Sequence, residues 1–307
     1  MSADRLRKYA WFVLAYNVGV ILFGAVVRAT GSGAGCGSDW PACRGGIVPL
    51  EGTAETVIEF THRATSGIAL VLVFVLLISV LRRKPSAGPA RIAAIAAAGL
   101  VVSEALVGAM LVLFGWVEDD QSMGRAISIA VHLINTFLLL GALSLTAWWL
   151  GEGSRPGRPF PVREKRWMGL AAAGLILVGI AGAITALGDT LFPAESIFAG
   201  IRDDFTGTFL VRLRWIHPIL AVAAGLLLVW LAPRYARLGS RVQQMGAIMM
   251  WLVIGQLMLG FVNVLLLAPV WMQVVHLLAA DLTWIVFVLF AVETLAATGR
   301  EAERATR

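Results

Sequence analysis

Four histidines, one glutamate and two cysteines are the residues of this chain whose types and spacing could do chemistry. His62, His132, His217 and His276 are its full complement of histidine, and each lies in an apolar stretch. An imidazole in such surroundings either hydrogen-bonds a neighbouring group or binds a metal, because an unpaired polar group there is costly. Four at one depth favour metal work over four separate accidents. Glu59 precedes His62 by three residues and therefore shares its helical face. Cys36 and Cys43 sit in the glycine-rich stretch TGSGAGCGSDWPACRGG.

Depth has meaning only once the elements that carry these residues are placed. With 59% hydrophobic and 14% charged residues, the chain cannot cover the surface of a soluble globule. The expectation is an all-α integral membrane protein. Apolar runs of about 20 residues, the length that crosses a bilayer core as a helix, recur eight times, over 9–29, 58–81, 91–115, 125–150, 166–187, 213–232, 242–267 and 270–298. The first follows Arg5, Arg7 and Lys8 but is longer than the apolar region of a signal peptide, so it counts as a span.

Orientation follows from lysine and arginine, which are held on the cytoplasmic side. Eighteen of the 25 fall on one side: Arg5, Arg7 and Lys8; Arg82, Arg83, Lys84 and Arg91; Arg155, Arg158, Arg163, Lys165 and Arg166; Arg234, Arg237 and Arg241; Arg300, Arg304 and Arg307. Arg28, Arg44, Arg63, Arg125, Arg202, Arg212 and Arg214 lie on or beside the opposite face. Both termini are thus expected in the cytoplasm, and all four histidines one to two turns below the outer surface. The formal charge of +6 is accounted for by the anionic inner leaflet and calls for no nucleic-acid partner.

The second four segments echo the first four. GAVVRATGS parallels GAITALGDT, EALVGAMLVL parallels QLMLGFVNVL, and VHLINTFLLL parallels VHLLAADLTW. Two pseudo-symmetric four-helix bundles are expected, residues 1–150 and 151–307, in one orientation about an axis along the membrane normal. Each carries two histidines on different helices. Two imidazoles facing each other at equal depth suit bis-histidine ligation of a heme, and the heme propionates need cations at the membrane edge. Arg28, Arg63 and Arg214 are candidate partners, since guanidinium grips carboxylate bidentately; snorkelling toward lipid phosphates explains them equally well.

Glu59 beside His62 could relay protons during oxidation of a bound substrate. The Glu-x-x-His pattern also occurs in di-iron bundles, but the further carboxylates such a site needs are missing beside His132. Glu104 is the nearest, and its place in the third segment puts it deeper, as a hydrogen-bonding or proton-carrying residue; Gln256 occupies the equivalent place in the second half. Cys36 and Cys43, outside the membrane, could form a structural staple worth roughly 2–3 kcal/mol or exchange with a partner's thiols. Two cysteines do not make a zinc site. A transporter with parallel repeats would break its helices near the midplane, whereas Pro218 lies at the outer end.

The run RATGSGAGCGSDWPACRGGIVP, followed by IEFTHR, VHLINT, IHP and VHLLAADL, resembles the heme A synthase family over essentially the whole chain. The resemblance implies oxidation of a methyl substituent of heme O to a formyl group by successive hydroxylations, giving heme A for cytochrome oxidase. It implies His217 and His276 as ligands of a resident heme b, His62 and His132 as ligands framing the substrate heme, and Glu59 as the catalytic residue. Cys36 and Cys43 match the family's outer-loop pair, within residues 30–57. The loop over 188–211 has no cysteine, which excludes a role that needs two disulfides. The implied setting is a prokaryotic cell membrane, with heme sites toward the outer face, and the implied partners are heme O synthase and an external thiol or electron-transfer protein. Monomer and homo-oligomer both remain open. The alternative from another class is a di-heme membrane cytochrome b that passes electrons from quinol to a partner.

Overall fold

The computed structural model describes residues 2–49, 52–83, 88–151, 153 and 161–305. Of the basic residues that set the expected orientation, Lys84, Arg155, Arg158 and Arg307 lie outside these, as does the side chain of Arg304. Among the described residues the fold is helical, with no strand: α1 Ala3–Ala29, α2 Ala54–Leu81, α3 Pro89–Leu113, α4 Met123–Leu150, α5 Val162–Leu191, α6 Ile197–Thr206, α7 Phe209–Arg212, α8 Ile216–Tyr235, α9 Ser240–Leu265 and α10 Val270–Ala305. Among the described residues, eight stretches are long and apolar enough to cross a membrane; the one over Phe209–Leu238 includes α7 and α8.

The ends of the long helices are set by local chemistry. Ser2 and Ser122 accept the amide N–H of Arg5 and Arg125 at the starts of α1 and α4, satisfying donors that a helix start leaves free. Pro89 opens α3, where a missing N–H costs nothing. Between α9 and α10 the chain reverses in four residues, with Leu267 and Ala268 at φ 59° and 54°, a left-handed conformation that is unfavourable for side chains with Cβ.

In the first half α1 packs on α2, α2 on α3, α3 on α4, and α4 back on α1; in the second, α5 packs on α8, α8 on α9, α9 on α10, and α10 back on α5. The two sets meet where α4 touches α5 and α10 and where α1 touches α10 and α5. One core runs through both, including Leu14, Leu140, Leu143, Leu228, Met249 and Phe290. Large apolar side chains such as Ile92, Leu226, Trp251 and Phe261 are exposed on the outward faces, as expected where lipid rather than water is the solvent.

Two features depart from the sequence-based expectation. The loop over 188–211 contains α6, whose apolar residues Phe198, Ile201 and Phe205 are exposed. The sixth span does not begin as one helix at 213: α7 ends at Arg212, the chain turns through Leu213–Trp215, and α8 starts at Ile216. Uniform hydrophobicity across this stretch conceals the break.

Candidate functional site

His62 lies two turns into α2. Its ring bonds the backbone of Val20 on α1, packs edge-on to Phe23 at 5.8 Å, and covers Gly24, where an added Cβ would come within 3.0 Å of Nε2. His217, at the start of α8, makes matching contacts with α5. Its Nδ1 lies 3.1 Å from the Val178 carbonyl, and a Cβ on Gly182 would meet its Cε1 at 2.9 Å. A side chain at either glycine would push the ring aside, because the ring occupies the volume it would fill.

The second histidine of each half comes from its fourth long helix. His276 faces His217 with ring centroids 6.2 Å apart and planes at 82°; His132 is close enough to His62 to interact with it electrostatically. The structure therefore brings the four histidines together as two pairs, one per half, both toward the end that carries the cysteine loop.

Support behind the paired rings differs between halves. His132 Nδ1 is 3.1 Å from Glu104 Oε1, although its N–H does not point along that line; rotation about the soft imidazole torsion closes the angle, so the short distance is the more telling fact. Glu104 also accepts from Thr136 Oγ1 at 2.5 Å and from Asn135 Nδ2. Gln256, by contrast, donates to the His276 carbonyl at 3.1 Å and approaches its Nε2 at 3.3 Å, while Gln256 Oε1 and His276 Nδ1 have no partner. The expectation that Glu104 lies deeper than the histidines is thus corrected. With α3 ending at Leu113 and α4 starting at Met123, Glu104 and His132 are each nine residues from their helix ends.

Glu59 is 3% exposed and is held from two directions. The Cys36 amide donates to its Oε2 at 2.6 Å; Arg63 donates Nε and Nη2 to Oε1 at 3.1 and 2.5 Å. Arg63 also donates to the carbonyls of Asp39 and Ala42, so one guanidinium ties Glu59 to the cysteine loop. Cys36 and Cys43 form a disulfide. The loop crosses α2 at Gly35, whose Cβ position is 2.4 Å from the Glu55 carbonyl; only glycine fits, and Thr56 Oγ1 closes the crossing by donating to the Gly35 carbonyl at 2.7 Å.

The other two arginines hold the corresponding end of the second half. Arg28 donates from Nη1 to the Ala186 carbonyl and Thr190 Oγ1, and from Nη2 to Gln273 Oε1. Arg214 donates to the carbonyls of Gly188 and Phe192, lies 3.0 Å from Asp189 and is 4.0 Å from Asp204. Burial raises the Asp204 carboxyl above its ordinary value, and Arg214 pulls it down. A guanidinium has five N–H donors; Nη1 of Arg214 is the group that faces Asp204.

The cytochrome oxidase assembly protein model, COX15-CtaA, matches residues 7–288. The chain belongs to this family. A relative from Thermus thermophilus, named protoheme IX farnesyltransferase, is 46% identical over 308 aligned positions, covering 98% of this chain and 50% of the relative. The chain therefore spans half the length of that protein. Heme A synthases of Lysinibacillus sphaericus and Exiguobacterium sibiricum are 37% identical over 140 positions, 45% of each chain, and 29% identical over 217 positions, 71% of this chain and 70% of the relative.

Proposed function

We propose that this COX15-CtaA protein is a heme A synthase that oxidises the methyl substituent of heme O to a formyl group. Two histidine pairs toward one end of the molecule, with the buried carboxylate of Glu59 one turn before the leading histidine of the first pair, is the observation that carries the reading. Written with water as the oxygen donor, methyl to formyl releases four protons and four electrons, which pass to an external acceptor. Glu59 takes a proton at a carboxylate oxygen, and positioned carboxylates of this kind contribute about 10²–10⁴-fold to rates. His62 and His132 orient the substrate heme, with the propionates at the rim near Arg63.

His217 and His276 fit a resident heme b. Donation of Nδ1–H to the Val178 carbonyl leaves the His217 Nε2 lone pair free, the arrangement usual for a metal-bound imidazole. With ring centroids 6.2 Å apart, His217 and His276 would hold the heme iron between them. When bound, this heme supplies one-electron transfer. Arg28 and Arg214 lie at the same end of the second half and are the candidate partners of its propionates.

The Thermus relative's name describes a reaction upstream of the one proposed here, on a chain twice as long. Attaching a farnesyl group to protoheme produces the class of substrate this site consumes, so a heme O synthase is the proposed partner, in a prokaryotic cell membrane with the heme sites outward. The chain matches only half of that relative, and the COX15-CtaA model covers residues 7–288, which supports assigning this chain to the oxidation rather than to prenyl transfer.

Chromatography and mass spectrometry of hemes extracted after co-expression with a heme O source test the proposal. Heme A or its hydroxylated intermediate beside heme b is the expected result. Heme b alone under turnover conditions overturns it in favour of a di-heme electron-transfer cytochrome, and heme O made from protoheme and farnesyl diphosphate by the purified chain overturns it in favour of prenyl transfer.

A further inference from the structure

The two halves differ most sharply behind their second histidine. In the first, Ser103 donates to Asn135 Oδ1 at 2.5 Å, Asn135 donates to the Leu100 carbonyl at 2.9 Å and to Glu104, and Thr136 donates to Glu104. Three polar side chains on α3 and α4 thus hold the Glu104 carboxylate beside His132 Nδ1. At the same offsets from Gln256 and His276 stand Gly255, Ala279 and Ala280. The whole polar set has been replaced by residues that cannot hydrogen-bond through a side chain, leaving Gln256 with an unpartnered oxygen. A buried carboxylate is costly unless it is satisfied, and this network satisfies Glu104.

We propose that Glu104 is a positioning residue that accepts the Nδ1–H of His132 and makes it the more electron-donating iron ligand of the two halves, so that the heme held in the first half is the easier of the two to oxidise. The inference rests on the heme reading above and deepens it. An imidazole whose second nitrogen donates to a carboxylate is a more basic ligand than one facing a neutral amide, and hydrogen bonding behind the ligand and nearby charge are levers on the potential of heme iron. The ordering suits the direction of the proposed reaction, in which electrons leave the first-half site. Glu104 also fixes the ring tautomer, presenting Nε2 to the iron.

Redox titration of the purified, heme-loaded full chain, followed by absorption, tests this, with the two components assigned by His62→Ala. Glu104→Gln is expected to move the first-half midpoint to more positive potential and leave the second where it is, and to lower kcat about 10–100-fold with the KM for heme O nearly unchanged. Glu104→Asp should recover part of both effects. Unchanged midpoints in a fully loaded Glu104→Gln protein overturn the proposal. If Glu104→Gln does not load or fold, the reciprocal Gln256→Glu decides: a negative shift of the second-half midpoint supports the role of the carboxylate, and no shift overturns it. Because midpoints are read on bound heme, a shift without heme A formation would reject the synthase reading and leave the role of Glu104 standing.

Discussion

The first and second halves hold their leading histidine in the same way and surround it differently. His62 and His217 each bond a backbone group four residues before a glycine on the preceding long helix, and each ring lies over that glycine. Three residues before the histidine the halves part: Glu59 in the first, Arg214 in the second. Outside, a disulfide-closed loop presses on Glu59, whereas the short helix α6 follows α5 and brings Asp204 toward Arg214. The comparison teaches that the ring-holding contacts are common equipment, whereas the position three residues before the histidine carries a carboxylate in one half and a guanidinium in the other.

The sharpest break would be between the ligand sets. His276→Ala should abolish the low-spin heme spectrum of the second half, while His62→Ala should leave it intact. Unchanged heme content in His276→Ala protein, measured by pyridine hemochrome, would reject the ligand assignment.

Next in size is Glu59. Glu59→Ala should keep the resident heme and lose product by about 10²–10⁴-fold; normal formyl heme would end its catalytic role. Glu59→Gln separates chemistry from anchoring, because the amide oxygen can still accept the Cys36 N–H but cannot take up a proton as readily. Low turnover with an intact loop in that variant would sharpen the contrast with Arg214.

Much of this is legible in the residues alone. The eight spans follow from apolar length, and the histidine pairing from matched depth, because both depend on regularities of one helix at a time. What the sequence hides depends on boundaries and partners. A third span ending at 115 and a fourth starting at 125 place Glu104 too deep, whereas the helices end at Leu113 and start at Met123; about 1.5 Å per residue turns those four residues into a full turn of apparent offset. The Arg63 clamp is invisible because its partners, the Asp39 and Ala42 carbonyls, carry no side-chain signature. The break at Leu213–Trp215 is masked by apolar residues on both sides.

A moderate effect is expected at the loop. Cys36→Ser should lower stability by roughly 2–3 kcal/mol in the chain-entropy account of a short closed loop, and reduce turnover more than heme content because the Cys36 amide is a Glu59 partner. Thermal unfolding and product assays on the same preparation check this. A parallel fall in heme content would recast the disulfide as support for the whole half rather than for Glu59.

The smallest effects should come from the shared glycines, and they test whether the common equipment really is common. Gly24→Ala and Gly182→Ala each place a methyl 2.9–3.0 Å from a histidine ring, closer than carbon atoms tolerate, so the ring must tilt away. A tilted ligand still binds iron, and the expected outcome is retained heme with a shifted low-spin absorption or resonance signal, in the first half for Gly24 and in the second for Gly182. Gly19→Ala, with nothing within 4 Å of the new methyl, should leave both signals unchanged. If Gly24→Ala shifts nothing while Gly182→Ala does, the first-half ring has more freedom than the second, as a site that admits and releases its heme would require.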